Sequence, residues 1–168
     1  LKFILDISSG TPNGIYIDEA RVRQIVFNLI GNAIKFTSEG KIVLKVFTEN
    51  PQIVNYSKEK SEELIDLIIE VEDTGIGISR EVQEAIFEPF IQERDYKNYG
   101  GTGLGLAISK RLAGLMEGVI SVQSDLGKGS KFTVKIPEIA YQRDFSGTST
   151  DVLIDPAEIV FEKAVILI

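Results

Sequence analysis

The sequence contains no histidine. Chemistry that uses an imidazole as base, nucleophile or metal ligand therefore cannot be housed in this chain. Cysteine is also absent, which excludes a disulfide framework and a thiolate metal site and leaves the compartment unread from redox usage. No apolar run approaches the ~20 residues of a membrane-spanning helix, and no targeting segment is visible. Basic residues are the scarcer sign, 18 Lys and Arg against 25 Asp and Glu, for a formal charge of -7. Scattered among so many acids they build no surface for a nucleic acid, so any polyanion bound must be small and locally chelated. The single methionine is Met116 and the chain opens on Leu1, so an excised domain is expected. What is present, 43% hydrophobic residues in a chain of 168, suffices for one soluble domain with a real core, plus a tail.

The stretch from Asp18 to Thr37 has two faces. At ~100° per residue, Val22, Val26, Leu29, Ile30 and Ala33 form an apolar stripe, while Asn28, Asn32 and Lys35 line a second, narrow one. Two carboxamides and a cation in a row offer an oxygen ligand for a hard metal and a charge for phosphate, which suits a Mg2+-bound nucleotide. Taken alone, such a row is as well explained by solvation.

Upstream, Phe3 to Ser8 and Ile15 to Ile17 read as extended pieces joined as a hairpin through Gly10-Thr11-Pro12-Asn13-Gly14. Asp18 N-caps the helix, which should stop before Ser38-Glu39-Gly40. A strand follows over Lys41 to Thr48, then a long surface loop from Asn50 to Glu62. In the next strand Ile65, Leu67, Ile69 and Val71 share one parity and Asp66, Glu70 and Glu72 the other, and Asp73 falls on the apolar side. A buried polar group without a partner costs roughly 1–3 kcal/mol, and a charge more. Either a ligand donates to Asp73, or it takes the Gly75 and Gly77 N–H groups in an Asx turn.

Ser79 can cap a short helix through Ile86, ended by Phe87-Glu88-Pro89-Phe90. Ile91 to Thr102 is polar and without period, and reads as a flap. Gly100, Gly101, Gly103 and Gly105 then lead into a helix patterned by Leu104, Ile108, Leu112 and Leu115 that stops at Gly118. Glycines before a helix N-terminus suit anion binding, although a plain linker has the same composition. Strands over Val119 to Ser124 and Phe132 to Pro137 flank Gly127-Lys128-Gly129. Beyond Pro137 the composition shifts, which divides the chain into a domain over 1–137 and a linker over 138–168.

The ordered set Asn28-x-x-x-Asn32-x-x-Lys35, Asp73-x-Gly75-x-Gly77, Phe87-x-x-Phe90, Gly101-x-Gly103-x-Gly105 and Gly127-x-Gly129 resembles the catalytic ATP-binding domain of sensor histidine kinases. That domain belongs to the superfamily shared with gyrase, the heat-shock chaperone ATPases and MutL-type repair proteins. The resemblance implies an α+β fold, a two-layer α/β sandwich with a mixed, largely antiparallel sheet under three helices and a flexible ATP lid. It implies ATP and Mg2+ as cofactors, with Asp73 accepting the adenine amino group, Asn32 holding Mg2+, Asn28 supporting the metal and phosphate side, Lys35 meeting phosphate and Phe36 lying against adenine. Asn28, Asn32 and Lys35 are the implied catalytic set. Gly101, Gly103 and Gly105 would let the lid close, with the Leu104 and Gly105 N–H groups toward the triphosphate and Phe87 and Phe90 as its anchors. Gly127, Gly129 and Ser130 would shape the pocket floor, and Gly75, Gly77, Ile78, Thr102 and Leu106 complete the nucleotide-contacting set.

The hydrolysing relatives carry glutamate where this chain has Asn28, and a carboxamide takes no proton from water at neutral pH. The resemblance therefore implies transfer of the gamma-phosphoryl group to a histidine on a separate upstream dimerisation domain. It implies a cytoplasmic domain of a homodimeric kinase and leaves an inner-membrane anchor in the parent protein open. The final run, Ala164-Val165-Ile166-Leu167-Ile168, resembles the opening strand of a response-regulator receiver domain, cut before its acidic pair. A last element packed on this same domain is the alternative. For function, the alternatives are a nucleotide-sensing module without transferase activity and a serine kinase of the same superfamily.

Overall fold

The computed structural model describes residues 1–55, 61–91 and 102–142. Strand β1 (Lys2–Ile7) and the short β2 (Gly14–Ile15) precede helix α1 (Glu19–Phe36), which is followed by β3 (Lys41–Asn55) and β4 (Ser61–Asp73). A 3-10 turn (Ala85–Phe87), helix α2 (Gly105–Gly114), β5 (Val119–Asp125) and β6 (Gly129–Gln142) complete the order. The result is an α+β arrangement of two layers, helices on one face of a mixed sheet whose single parallel pair among the described residues is β1 with β3. Among the described residues, two α-helices and a 3-10 turn stand where three helices were expected. Among the described residues no helix is long and apolar enough to cross a membrane.

The spatial order is β1-β3-β4-β6-β2, with β5 also on β6. The hairpin expected from the first two pieces is not formed. β1 pairs parallel with β3, Phe3 opposite Ile42, while β2 pairs with β6 at the far side, Ile15 opposite Tyr141. Gly10 to Gly14 is a turn signal as expected, but it reverses nothing locally because each strand finds a non-local partner. The long loop expected from Asn50 is also shorter. β3 continues to Asn55, and a bulge between Glu49 and Gln52 absorbs the irregular sequence. β6 likewise runs past the expected end at Pro137 to Gln142, held by β4 and β2.

Burial follows the helix period on α1, where Ile25, Leu29 and Ala33 are enclosed and Val22, Val26 and Ile30 flank them. They pack on Ile42, Ile65, Leu67, Ile69, Val71, Phe132, Val134 and Ile136 from the central strands. On α2 the expected stripe is rotated. Ile108 and Leu115 are exposed, whereas Ser109 and Ala113 are fully buried and Leu106, Leu112 and Met116 pack on the core. Small side chains let α2 lie close on α1, and that contact outweighs the larger apolar period.

Asp66, expected on the solvent side, is buried. Its carboxylate meets Lys135 Nζ at 2.8 Å and receives hydrogen bonds from Asn50 Nδ2 at 2.7 Å and Glu138 N–H at 3.2 Å. Both donors carry positive φ, beside the bulges on β3 and β6. One carboxylate thus satisfies backbone and side chain where two ladders slip.

Candidate functional site

α1 begins as the sequence dictates, with the Asp18 carboxylate accepting from Arg21 N–H at 3.1 Å. Its last turn reaches the end of β4. Phe36 C=O accepts from Ile76 N–H at 3.2 Å, and the Thr37 hydroxyl, buried, donates to Asp73 Oδ1 at 3.4 Å. The helix face carrying Asn28, Asn32 and Lys35 and the strand end carrying Asp73 are thereby joined through Phe36 and Thr37.

Asp73 is buried. Gly75 N–H donates to its Oδ1 at 2.8 Å, which is one half of the expected Asx turn. Burial nevertheless pushes the Asp73 carboxyl above the usual range, against the pull of those donors. The glycines around it are required by packing. A side chain at Gly75 would meet Phe36 O, Thr37 Oγ1 and Asp73 Oδ1; one at Gly129, whose φ is 95°, would meet the Asp73 carbonyl. Gly77, at φ 70°, faces the Asp125 carbonyl in the same way, and Gly127 N–H donates to Ile76 C=O at 2.7 Å. The loop after β4 is therefore clamped onto the β5–β6 turn.

Beneath it lie residues that motif spacing does not reveal. Ser124 Oγ accepts from Ile78 N–H at 2.8 Å, donates to Gly129 C=O at 2.8 Å and sits 3.1 Å from Ser130 Oγ. Gln83 Nε2 ties Ile78 C=O to Ser124 C=O at 3.0 and 2.8 Å. The helix expected from Ser79 to Ile86 is instead a run of turns ending in the 3-10 turn. A cavity of about 590 Å3 opens at this end of the sheet, with Asp73, Ser130, Ser124, Gln83, Arg80 and Lys128 in its wall. Asn28, Asn32 and Lys35 do not line it, so the predicted residues fall in two groups, linked through Phe36 and Thr37 rather than by one cavity.

On α1, Asn28 Nδ2 donates to Gly105 C=O at 3.1 Å and to Ser109 Oγ at 3.2 Å, and its Oδ1 accepts from Gln24 Nε2 at 3.0 Å. Asn32, one turn on, is half-buried, and its carboxamide makes no hydrogen bond among the described residues. Lys35 lies with its ammonium 4.7 Å from the Phe36 ring centroid, and burial lowers its pKa.

The Phe87-x-x-Phe90 pair divides its labour. Phe87 is buried edge-on to Phe132 at 6.4 Å, beneath the Lys110 ammonium. Phe90 was expected to be an anchor, yet the residue is 74% exposed; its backbone does the holding. Phe90 N–H donates to Gly103 C=O at 3.1 Å, and both residues have positive φ. Thr102 Oγ1 accepts from Leu104 N–H at 3.3 Å, so that N–H, expected to face phosphate, has a partner here. Gly101 and all of the flap expected from Ile91 to Thr102 except those two end residues lie outside the described residues. Leu106 and Ile78 pack on the core. α2 starts without a side-chain cap, which leaves first-turn N–H groups for an anion.

The donor set fits a Mg2+-nucleotide. An ionised carboxylate has about four acceptor sites, and the donors Gly75 N–H and Thr37 hydroxyl both go to Asp73 Oδ1, which leaves acceptor capacity for an amino group. Among the described residues no cluster of three or more carboxylates stands ready for a metal. A hard cation would rest on carboxamide oxygens, water and phosphate, as Mg2+ commonly does.

Comparison with known proteins identifies the family. The chain is 44% identical over 140 residues to hybrid signal transduction histidine kinase A of Dictyostelium discoideum, covering 82% of this chain and 6% of that protein. It is 47% identical over 125 residues to the autoinducer 2 sensor kinase/phosphatase LuxQ of Vibrio vulnificus, covering 73% and 14% respectively. It thus spans a small part of either relative. Among solved structures it resembles full-length ShkA in complex with AMPPNP, with a TM-score of 0.65 and 33% identity over 85% of this chain and 26% of that one. Residues 17–140 match the family model, and the chain belongs to the histidine kinase-, DNA gyrase B- and HSP90-like ATPase family.

Proposed function

We propose that this domain binds Mg2+-ATP and passes its gamma-phosphoryl group to a histidine on a separate dimerisation domain, in two-component signalling. The observation that carries this is the buried Asp73 with an acceptor to spare, tied through Thr37 to the helix bearing Asn28, Asn32 and Lys35. Asp73 would accept the adenine amino group, with Gly75, Gly77 and Ser130 shaping the floor around it. Phe36 would lie along the base. Asn32 would hold Mg2+, which supplies charge neutralisation between the phosphates, and Lys35 would meet a phosphate oxygen. The uncapped start of α2, with Gly103 and Gly105 beside it, would receive the phosphate tail.

No residue at Asn28 can take a proton from water, so bound ATP is held for an external nucleophile. Phosphoryl transfer then rests on positioning and charge, and the chain's own lack of histidine requires the acceptor elsewhere in the parent protein. The names of the relatives support a sensor kinase, and the first of them a hybrid one, so we place a receiver domain, homodimer assembly and a cytoplasmic setting in the same proposal. The linker expected over 138–168 would then begin only after β6 ends at Gln142, and residues 143–168 would be the junction toward that receiver.

The test is radiolabelled ATP with the purified chain and a separately supplied histidine-bearing helical domain of the parent kinase. Acid-labile, base-stable label on that domain is expected. Acid-stable label would favour a serine kinase, and binding without any transfer would favour a nucleotide-sensing module.

A further inference from the structure

We infer that Ser109 and Gln24 are positioning residues that set the direction of the Asn28 carboxamide, oxygen free and nitrogen spent. The inference rests on the nucleotide-binding proposal above but concerns residues outside the family motif. Gly105 C=O can only accept, so the Asn28 atom 3.1 Å from it is Nδ2. The second amide proton goes to Ser109 Oγ at 3.2 Å. That hydroxyl gives its own proton to Gly105 C=O at 3.0 Å, so toward Asn28 it acts only as acceptor. Ser109 is fully enclosed, and no water competes for it. On the other side Gln24 Nε2 donates to Asn28 Oδ1 at 3.0 Å.

A primary carboxamide has two donors and two acceptor sites. Here both donors and one acceptor are used, and the remainder is one lone pair on Oδ1. Asn28 therefore presents an acceptor and no donor, which suits a cation and not a phosphate oxygen. Asn28 alone does not determine that choice, since an amide rotated by half a turn would present N–H instead. Ser109 and Gly105 impose it from α2, and Gln24 reinforces it from the preceding turn of α1. The same bonds fasten the first turn of α2 to the middle of α1.

The experiment compares the full 168-residue chain as wild type, Ser109→Ala and Gln24→Met. Without nucleotide, side-chain amide spectra labelled with nitrogen-15 should show slowly exchanging Asn28 protons in the wild type and fast exchange in Ser109→Ala. With ATP, affinity is measured in Mg2+ and in EDTA. The ratio of the two should fall about tenfold in Ser109→Ala and severalfold in Gln24→Met, while affinity in EDTA stays within about twofold. A merely structural role would lower melting temperature and both affinities together, leaving the ratio unchanged. An unchanged ratio in both variants, with wild-type binding intact, overturns the inference alone. If Ser109→Ala does not fold, Gln24→Met at its exposed site decides by the same ratio. If the wild type binds no ATP, the proposed function fails and this inference fails with it.

Discussion

Replacing Asp73 by Asn preserves shape and removes one charge at the buried end of β4. Oδ1 can still accept from Gly75 N–H at 2.8 Å and from the Thr37 hydroxyl at 3.4 Å. The other oxygen becomes an NH2 group, which turns a donor toward an adenine amino hydrogen. A hydrogen bond to a charged group contributes about 1.5–3 kcal/mol, so ATP affinity should fall by about 10- to 150-fold. Isothermal titration with ATP measures it directly.

Fold stability should respond in the opposite sense to affinity. Burial raises the Asp73 pKa in the folded chain, so the native state holds its proton to higher pH than the unfolded one. Stability from this group is greatest below the ordinary carboxylate pKa and declines as pH rises through the raised value. At neutral pH the charge is thus a cost, and the neutral amide should leave the melting temperature unchanged or higher. Equal ATP affinity in wild type and Asp73→Asn would remove this carboxylate from the site. A variant that fails to fold at neutral pH would show instead that Asp73 serves the turn.

Asp66 should show the reverse pH dependence. Burial works to raise its carboxyl, but Lys135, Asn50 and the Glu138 N–H outweigh it and hold the pKa below the ordinary range, so its stabilisation is lost as pH falls through that depressed value; urea titrations at stepped acidic pH should show a shallower acid loss in Asp66→Asn. Mg2+ and ATP at about 100 times the dissociation constant should stabilise the chain by about 2.7 kcal/mol, roughly 5–10 °C in Tm by thermal scanning. Asn32→Ala should abolish the part of that shift that EDTA also removes. Gly129→Ala, strained by φ 95° and facing the Asp73 carbonyl, should destabilise by about 2 kcal/mol or more in urea; Gly105→Ala, where the nearest Asn28 atom lies 3.7 Å away, should keep the fold. ATP incubated with the isolated chain should persist for hours by chromatography, and rapid release of phosphate would place it with the hydrolysing relatives.

Local chemistry made much of the fold legible. Asp18 caps α1 as its side chain demands, and the alternation from Ile65 to Val71 places Asp73 on the buried side. Partners distant in sequence were not legible. Alternation shows that Phe3 to Ile7 is extended but is silent on whether its neighbour is β2 or β3, and the turn residues at Gly10 to Gly14 favoured the wrong one. Ser109 escaped notice because an apolar period rewards large residues, whereas a close helix contact rewards small ones. The spacing Leu106, Ser109, Ala113, Met116 was the signal available.

The site shows the same division at atomic scale. Motif spacing identifies side chains, yet several of the groups holding them are backbone atoms. Asn28 rests on Gly105 C=O, Asp73 on the Gly75 N–H group, and Phe90, its side chain exposed, on Gly103 C=O through its own N–H. Each backbone partner lies in or beside a glycine-bearing stretch, where a close approach is possible. The glycines of Asp73-x-Gly75-x-Gly77 and Gly127-x-Gly129 therefore act before any nucleotide arrives, by letting the loop after β4 press on the β5–β6 turn. A substitution at Gly75, Gly77 or Gly129 changes the position of Asp73 and not only the room for a ligand. Loss of ATP binding in such a variant reports on the fold first, whereas Asp73→Asn and Gly105→Ala, which leave those contacts standing, report on the site.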